Sequence, residues 1–163
     1  MSFRTGLGYD SHRFADGRKL ILGGVEIAEA ERGLTGHSDA DVLAHAVADA
    51  VLGAAGLGDI GRHFPDSDER WRDADSIELL NVVADLVMAT GRAVANVDAT
   101  VICEAPKLGS YRAAMEAKLA AALEIDADAV NVKFTTNESM GFVGRGEGIA
   151  ALATALVDST RGE

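Results

Sequence analysis

The sequence of residues 38–56 is SDADVLAHAVADAVLGAAG, and this stretch predicts the first long helix of the protein. Ser38 is a suitable N-cap, because its hydroxyl can accept a hydrogen bond from a free backbone N–H of the first turn. An amphipathic stretch, residues 39–55, follows it, and Gly56 is typical of a helix C-terminus. We therefore expect a helix over that stretch, with strands and further helices on either side of it in the chain.

Strand patterns lie on both sides of this helix. Residues 3–9 predict a short strand, and residues 19–27 predict a small hairpin around a pair of glycines. Residues 94–103 and 130–136 predict two further strands. The tail, residues 149–157, fits a helix by its Ala and Leu content, whereas its alternation of small and larger residues also fits a strand. Composition alone leaves both interpretations of the tail open.

Two more helices and two loops complete the prediction. A second helix is expected to begin near residues 75–76 and to end at Gly91, and residues 110–123 predict an alanine-rich third helix. Residues 58–68 and 137–148 are rich in glycine and polar residues, and they predict loops. The second helix has one apolar face, formed by Ile77, Leu80, Val83, Val87 and Met88.

The composition bounds the class of protein. The chain has 163 residues, of which 48% are hydrophobic and 5% aromatic, which suits one domain with a core of small aliphatic side chains. Its formal net charge is -11, and this argues against a nucleic-acid partner, because phosphate backbones are bound by clustered Lys and Arg. A phosphorylated small molecule remains compatible with this charge, provided that metal cations or a few basic groups accept the phosphate.

Cysteine content and hydropathy exclude further classes. Cys103 is the single cysteine, so an internal disulfide and a Cys-x-x-Cys metal site are both excluded. Residues 1–10 lack the apolar core of a signal peptide, and no apolar run approaches the length of a membrane span. We therefore expect no membrane partner and a cytoplasmic location.

A carboxylate and two histidines form a candidate metal site. Asp10 and His12 follow the first strand, and side chains two apart in an extended chain point the same way, about 6.6 Å apart along the backbone. His45 is the best third ligand, and Asp41 or Asp49, each four residues away, could hold its second ring nitrogen. One Asp and two His suit a zinc site with an open fourth position. The alternative is a chance Asp-x-His pair and a solvated helix face.

The segment after the 130–136 strand is a candidate phosphate and cation site. The hydroxyls of Thr135 and Thr136 can bind phosphate oxygens, and Glu138 can hold a hard cation such as Mg²⁺. The glycine-rich loop that follows carries Phe142 and Arg145. The alternative is a polar loop whose glycines only satisfy turns.

Three other segments carry polar side chains that suit a substrate. Lys107 could contact a phosphate or a base, although an exposed loop lysine is common. His37 and Ser38 precede the first long helix, whose free N–H groups favour an anion, and the alternative is helix capping by Ser38. Asp59 and Asp66 could bind sugar hydroxyls or make Asx turns.

Short motifs occur in order along nearly the whole chain: Gly8-Tyr9-Asp10-Ser11-His12-Arg13-Phe14, His37-Ser38-Asp39-Ala40-Asp41-Val42 with His45, Leu57-Gly58-Asp59-Ile60-Gly61, Phe64-Pro65-Asp66, Ala74-Asp75-Ser76, Asn96-Val97-Asp98, Ala105-Pro106-Lys107, Asn131-Val132-Lys133, Thr135-Thr136-x-Glu138 and Gly141-Phe142-x-Gly144-Arg145-Gly146-Glu147-Gly148. In order and spacing they resemble the 2-C-methyl-D-erythritol 2,4-cyclodiphosphate synthase family. No single motif is decisive, and their combination is highly specific. Two departures from the family pattern lie near the nucleotide segment, at Glu104 and Phe134.

This resemblance implies a metal-dependent lyase. It implies zinc bound by Asp10, His12 and His45, and a second cation, Mg²⁺ or Mn²⁺, placed by Glu138. The expected reaction joins the 2-phosphate of 4-diphosphocytidyl-2-C-methyl-D-erythritol 2-phosphate to its β-phosphorus and releases CMP. The resemblance also implies that His37 and Thr136 stabilise the transition state. The alternatives are a metal-dependent phosphohydrolase and a non-enzymatic, isoprenoid-binding trimer.

The resemblance further implies a homotrimer with sites shared between subunits. The methylerythritol pocket is expected to comprise His37 with Ser38, Asp59, Gly61, Phe64, Asp66 and Asp68. The cytidine end is expected to contact residues 103–109 of a neighbouring subunit, in particular Ala105, Pro106, Lys107 and Leu108. It is also expected to contact Thr135 and Thr136 of that subunit. An isoprenoid diphosphate in the trimer centre would contact Phe142 and Arg145.

The expected fold is α+β, a single domain over residues 1–163 with a four-stranded mixed sheet covered by helices on one face. The resemblance favours a strand for the tail, packed toward the trimer centre.

Overall fold

The computed structural model describes residues 2–159. Its elements follow one another in this order: β1 Phe3–Ala15, β2 Ile21–Leu22, β3 Val25–Glu26, β4 Gly33–Leu34, α1 Val42–Ala55, α2 Ile60–His63, α3 Ser76–Met88, β5 Ala93–Ile102, α4 Arg112–Leu123, β6 Val130–Thr135, α5 Gly141–Gly144 and β7 Gly148–Asp158. Single turns of 3₁₀ helix lie at Glu69–Trp71, Gly109–Tyr111 and Ala127–Ala129. The predicted α+β class is confirmed. Among the described residues, no helix has both the length and the apolar character needed to cross a bilayer.

The main sheet has five strands in the order β4-β1-β7-β5-β6. It is mixed, as predicted, because β7 runs antiparallel to both β1 and β5, whereas β5 and β6 are parallel. The predicted count of four strands was wrong. The additional strand, β4, has only two residues, which pair with Phe14 and Ala15. A two-residue strand contains no alternation from which the sequence could predict it.

β1 is longer than the predicted strand 3–9 and continues to Ala15. Asp10 pairs with Ala151, and His12 pairs with Ile149 of β7. The two candidate ligands therefore lie within the strand rather than after it. The same pairing confirms that the tail is a strand.

α1 lies directly across β1, and two glycines of the strand allow this close approach. A Cβ atom at Gly6 would lie 2.0 Å from the Ala50 carbonyl oxygen, and one at Gly8 would lie 1.9 Å from the Ala46 carbonyl oxygen. Real side chains cannot occupy that space, so the helix backbone rests on the strand backbone. Alanine and valine residues of α1 and β7 are buried in the core around this contact, which agrees with the expected small aliphatic packing.

The first long helix begins later than predicted. α1 starts at Val42, and its N-cap is Asp41 rather than Ser38, because the Asp41 carboxylate accepts the Ala44 N–H at 3.0 Å. Ala40 has a positive φ of 60°, which keeps the preceding residues out of the helix. Gly56 ends the helix in the left-handed conformation, as expected.

The other helices agree with the prediction, with local differences. α3 begins at Ser76 with Asp75 as its N-cap, but Met88, which the sequence assigned to the apolar face, is 45% exposed. α4 begins at Arg112, two residues later than predicted. Both predicted loops contain one short helix, α2 in residues 58–68 and α5 in residues 137–148.

α1, α3 and α4 cover one face of the sheet, as expected. On the opposite face, alternate residues of β1 and β7 remain exposed in the single chain. Large apolar side chains stand there in a row, with Leu7 68% exposed, beside Phe3, Tyr9 and Leu152. An apolar sheet face of this extent, uncovered within the described residues, is typical of a protein–protein interface.

Candidate metal and substrate site

Asp10, His12 and His45 converge at one point, as the sequence predicted. The Asp10 Oδ2 atom lies 2.9 Å from His12 Nε2 and 3.0 Å from His45 Nδ1. The two ring nitrogens are 3.2 Å apart. The three donor atoms can therefore contact one ion, and this cluster is the one group of three or more metal-ligating side chains so placed among residues 2–159.

The fold explains this convergence. Asp10 and His12 are two residues apart on β1, so both side chains point toward α1. His45 is the fourth residue of α1, and the glycines of β1 bring that helix close to the strand. The cluster thus depends on strand alternation and on the close helix–strand packing.

The outer ring nitrogens of the two histidines bind oxygen atoms. His12 Nδ1 lies 2.7 Å from the Thr35 carbonyl oxygen, which can only accept, so Nδ1 carries a proton, and the neutral form of His12 has its lone pair on Nε2, where a metal could bind. His45 Nε2 lies 2.9 Å from Ser76 Oγ and 3.1 Å from Ser38 Oγ. Hydrogen-bonded outer nitrogens are what metal-binding histidines require.

The expectation that Asp41 or Asp49 holds the second nitrogen of His45 was wrong. Asp41 is fully buried, and besides capping α1 it accepts the backbone N–H groups of Gly23 and Gly24 at 2.9 and 2.6 Å. Burial raises the pKa of Asp41 to about 6, although the backbone N–H groups oppose this shift. Asp49 accepts the Ile60 N–H at 2.7 Å. Both carboxylates hold loops in place.

Electrostatics within the cluster suit a cation. Burial opposes ionisation of Asp10, but hydrogen bonds from His12 and His45 outweigh it and hold the pKa of this carboxyl well below its usual value. Burial likewise opposes the charged form of His12, but the Asp10 carboxylate raises the pKa of this imidazole above its ordinary value. A divalent cation would replace the protons that the carboxylate attracts.

The cluster opens into a cavity of about 270 Å³. Five of the residues predicted for substrate or catalysis line it, namely His37, Ser38, Gly61, Phe64 and Asp66. The Phe64 ring packs edge-on against Trp71, with ring centroids 5.0 Å apart. The sequence prediction missed Trp71, Asp49, Ile60 and Leu79, which also line this cavity.

Two predicted pocket residues do not line this cavity. Asp59 is the N-cap of α2 and accepts the Arg62 N–H at 3.0 Å. Asp68 forms an ion pair with Arg70 at 2.6 Å, and its carbonyl oxygen lies 3.2 Å from His37 Nε2. These contacts match the turn-forming interpretation of the loop.

A second cavity, of about 460 Å³, gathers most of the residues predicted for the nucleotide. Pro106, Lys107, Leu108, Thr135 and Thr136 line it, together with Arg112 and Phe134, which sequence analysis did not assign to the site. The Arg112 guanidinium lies 5.5 Å from the centre of the Phe134 ring. Ala105 instead lines a third cavity of about 280 Å³ beside Phe14 and Arg32.

Glu138 belongs to this second region rather than to the metal cluster. Its carboxylate accepts the Thr136 hydroxyl at 3.2 Å. Glu104, noted as a departure from the family pattern, accepts the Asn137 N–H at 2.7 Å and so supports the turn that carries Glu138. In the following segment, Phe142 is exposed on α5, and Arg145 donates to Glu147 at 2.6 Å.

Comparison with known proteins assigns the family. A family model described as the YgbB family matches residues 3–158. The chain belongs to the YgbB family. The resemblance to the 2-C-methyl-D-erythritol 2,4-cyclodiphosphate synthase family is confirmed, because similar proteins carry the name of that synthase.

Two curated relatives match nearly the whole chain. A 2-C-methyl-D-erythritol 2,4-cyclodiphosphate synthase of Alkaliphilus oremlandii is 56% identical over 94% of this chain and 98% of its own length. One of Rubrobacter xylanophilus is 59% identical over 98% of each chain. A solved structure of a 2C-methyl-D-erythritol-2,4-cyclodiphosphate synthase in a CDP-bound form has a TM-score of 0.86 and 37% identity, and the match covers 95% of this chain and 100% of that one.

Proposed function

We propose that the protein converts 4-diphosphocytidyl-2-C-methyl-D-erythritol 2-phosphate to 2-C-methyl-D-erythritol 2,4-cyclodiphosphate with release of CMP, in the non-mevalonate isoprenoid pathway. One observation carries the proposal, namely the convergence of Asp10, His12 and His45 in a chain whose full-length relatives bear that synthase's name. Residues 1–163 would then form a single cyclodiphosphate synthase-like domain.

The reaction is an intramolecular phosphoryl transfer. An oxygen of the 2-phosphate attacks the β-phosphorus, one new P–O bond forms, and the P–O bond to CMP breaks. The nucleophile is already an anion, so no strong general base is needed. The protein's task is to fold the substrate so that the attacking oxygen, phosphorus and leaving oxygen are in line.

The donor set of the cluster fits a zinc ion held by Asp10, His12 and His45, since each histidine presents one ring nitrogen inward and hydrogen-bonds the other. When bound, zinc supplies Lewis-acid polarisation of a phosphoryl oxygen. Glu138, exposed beside the Thr136 hydroxyl, is the proposed ligand of a second cation, Mg²⁺ or Mn²⁺.

The remaining residues would bind and orient the substrate. His37 and Thr136 are the proposed stabilisers of charge on the transferring phosphoryl group. Ser38, Gly61, Phe64 and Asp66 suit the methylerythritol end by their position on the cavity next to the cluster. Asp59 and Asp68 would contact the methylerythritol end of the substrate from the loop that borders this cavity. The cytidine end would contact Ala105, Pro106, Lys107, Leu108 and Thr135.

Assembly as a homotrimer is part of this proposal. Its support is the exposed apolar sheet face, which would be covered by other copies of the chain. The nucleotide cavity of one subunit would then complete the methylerythritol cavity of its neighbour. Phe142 and Arg145 are the proposed contacts of an isoprenoid diphosphate at the trimer centre, and the expected location of the protein is the cytoplasm.

Incubation with the cytidylyl methylerythritol phosphate substrate, Zn²⁺ and Mg²⁺ tests the proposal, with products followed by phosphorus NMR. We expect CMP and the cyclic diphosphate in equal amounts. Formation of free phosphate, or of CMP with an uncyclised diphosphate, would instead identify a phosphohydrolase that uses water as the nucleophile.

A further inference from the structure

The two ring nitrogens of His45 face different kinds of partner. Nδ1 lies 3.0 Å from Asp10 Oδ2 in the metal cluster, whereas Nε2 faces the hydroxyls of Ser76 and Ser38. A neutral imidazole carries its proton on one nitrogen only. The group that fixes this proton on Nε2 therefore decides whether Nδ1 has a free electron pair for a metal.

The Ser76 hydroxyl can only accept from His45. Its own proton is donated to Asp39 Oδ1 at 2.5 Å, and Asp39 Oδ2 accepts the Ser76 backbone N–H at 3.0 Å. Both carboxylate oxygens of Asp39 therefore act as acceptors toward Ser76, and the Ser76 hydroxyl proton is used in that contact. Ser76 Oγ thus presents lone pairs to His45, and at 2.9 Å the Nε2 atom must be the donor.

The Ser38 hydroxyl has no such constraint. It lies 3.1 Å from His45 Nε2 and 3.5 Å from Ser76 Oγ, and it accepts the Ala40 N–H at 3.3 Å. Its proton can point to either neighbour, so it is compatible with both protonation patterns of the imidazole and selects neither.

We infer that Ser76 and Asp39 are positioning residues, which keep the His45 proton on Nε2 and so reserve Nδ1 for the metal. The inference rests on the proposed function only in treating the Asp10–His12–His45 cluster as a metal site. Packing fixes both residues. Ser76 is 2% exposed at the start of α3, and the Asp39 N–H donates to the Ala74 carbonyl oxygen at 3.0 Å. Through these contacts the N-terminus of α3 controls a ligand carried by α1.

Zinc affinity of matched variants tests the role. Each protein is stripped of metal, and its zinc affinity is measured by competition with a coloured chelator, with circular dichroism as the check on folding. We expect Ser76→Ala to bind zinc about 10–100-fold more weakly, as is usual when the partner of a ligand is removed. Ser38→Ala should lose much less, and Ser76→Thr should recover most of the affinity because it keeps the hydroxyl. A folded Ser76→Ala protein with wild-type zinc affinity would overturn the inference.

A double substitution tests whether Asp39 acts through Ser76. If it does, Asp39→Ala weakens zinc binding in the wild-type background. In the Ser76→Ala background it adds little, because the hydroxyl through which Asp39 contacts His45 is already absent. Fully additive losses would overturn the role of Asp39.

Nitrogen NMR of the wild-type, zinc-loaded protein gives a readout that does not depend on any variant's folding. We expect a proton on His45 Nε2 and zinc on Nδ1. A proton on Nδ1, or zinc bound through Nε2, would overturn the inference directly.

The assay for the cyclic product separates the two proposals. If the wild-type protein forms no cyclic product, while Ser76→Ala still loses zinc affinity and His45 is protonated on Nε2, the proposed function alone fails. If the product forms and Ser76→Ala binds zinc normally, the positioning role alone fails.

Discussion

The metal cluster and the nucleotide cavity differ in how completely one chain organises them. In the cluster, Asp10, His12 and His45 contact one another, and both outer imidazole nitrogens bind oxygen atoms. Around the nucleotide cavity, Lys107 and Thr136 are exposed on loops. The first region is preorganised by the fold of a single chain. The second presents groups outward, and we expect it to function only against a neighbouring subunit.

The largest expected effect comes from His45→Ala, which removes one of the three side chains of the metal cluster. Loss of one of three ligands should abolish zinc retention, and activity should fall by about 10³-fold or more, since Lewis-acid stabilisation contributes several kcal/mol. Metal analysis of the purified protein and the product assay measure the two effects. Full zinc occupancy in this variant would reject His45 as a ligand.

Gly8→Ala should disturb the same region through its packing. The new Cβ would lie 1.9 Å from the Ala46 carbonyl oxygen, so α1 must move away from β1. We expect a loss of about 3 kcal/mol in the free energy of unfolding, measured with urea, together with weaker zinc binding.

Gly53→Ala is the matched control, because a Cβ at this exposed position of α1 has no neighbour within 4 Å. It should leave stability unchanged or raise it by up to about 1 kcal/mol. Equal destabilisation by the two substitutions would contradict the close-packing explanation.

Leu7→Glu tests whether the second region needs a neighbour. Leu7 is 68% exposed on the uncovered sheet face, and a charge there should prevent association of the chains. Light scattering should report monomers that retain zinc and lose activity. Met88→Glu, on the exposed side of α3, should remain a trimer. A stable and fully active Leu7→Glu monomer would refute sites shared between subunits.

The smallest effect is expected from Lys107→Ala. This exposed lysine lines the nucleotide cavity, and removal of one charged contact to substrate should raise KM about tenfold, which corresponds to about 1.4 kcal/mol. Zinc content should not change, because Lys107 is not part of the cluster. Steady-state kinetics measure KM, and a change in zinc content with no change in KM would contradict the separation of the two regions.

The features that depend on local pattern could be predicted from the sequence. Strand alternation predicted the shared direction of Asp10 and His12, and the helix ending at Gly56 agrees with the structure. The partner of His45 Nε2 could not be predicted, since Ser76 is 31 residues away and meets His45 only through the packing of α3 against α1. The assignment of Asp41 to His45 was wrong for the same reason. Helical spacing relates only residues of the same helix, whereas the Asp41 carboxylate accepts hydrogen bonds from Gly23 and Gly24, which lie in the hairpin.

β4 and Met88 illustrate a second limit. The two-residue strand β4 exists because β1 continues far enough to pair with it, and no property of Gly33 or Leu34 alone indicates that pairing. Met88 was assigned to the apolar face of α3, but it is the last residue of the helix and is 45% exposed, whereas Val87 beside it is buried. Both features depend on where neighbouring elements stop.

The alternation along β1 also restricts how this protein can change over evolutionary time. Leu7 and Tyr9 point to the uncovered face, whereas Asp10 and His12 point to the helices. Inserting one residue between Tyr9 and Asp10 would invert one set relative to the other, sending the carboxylate and imidazole outward. Single insertions or deletions within this strand should therefore be far less tolerated than substitutions, because the side chains of the Asp10–His12–His45 cluster and those of the uncovered apolar face alternate along the same backbone.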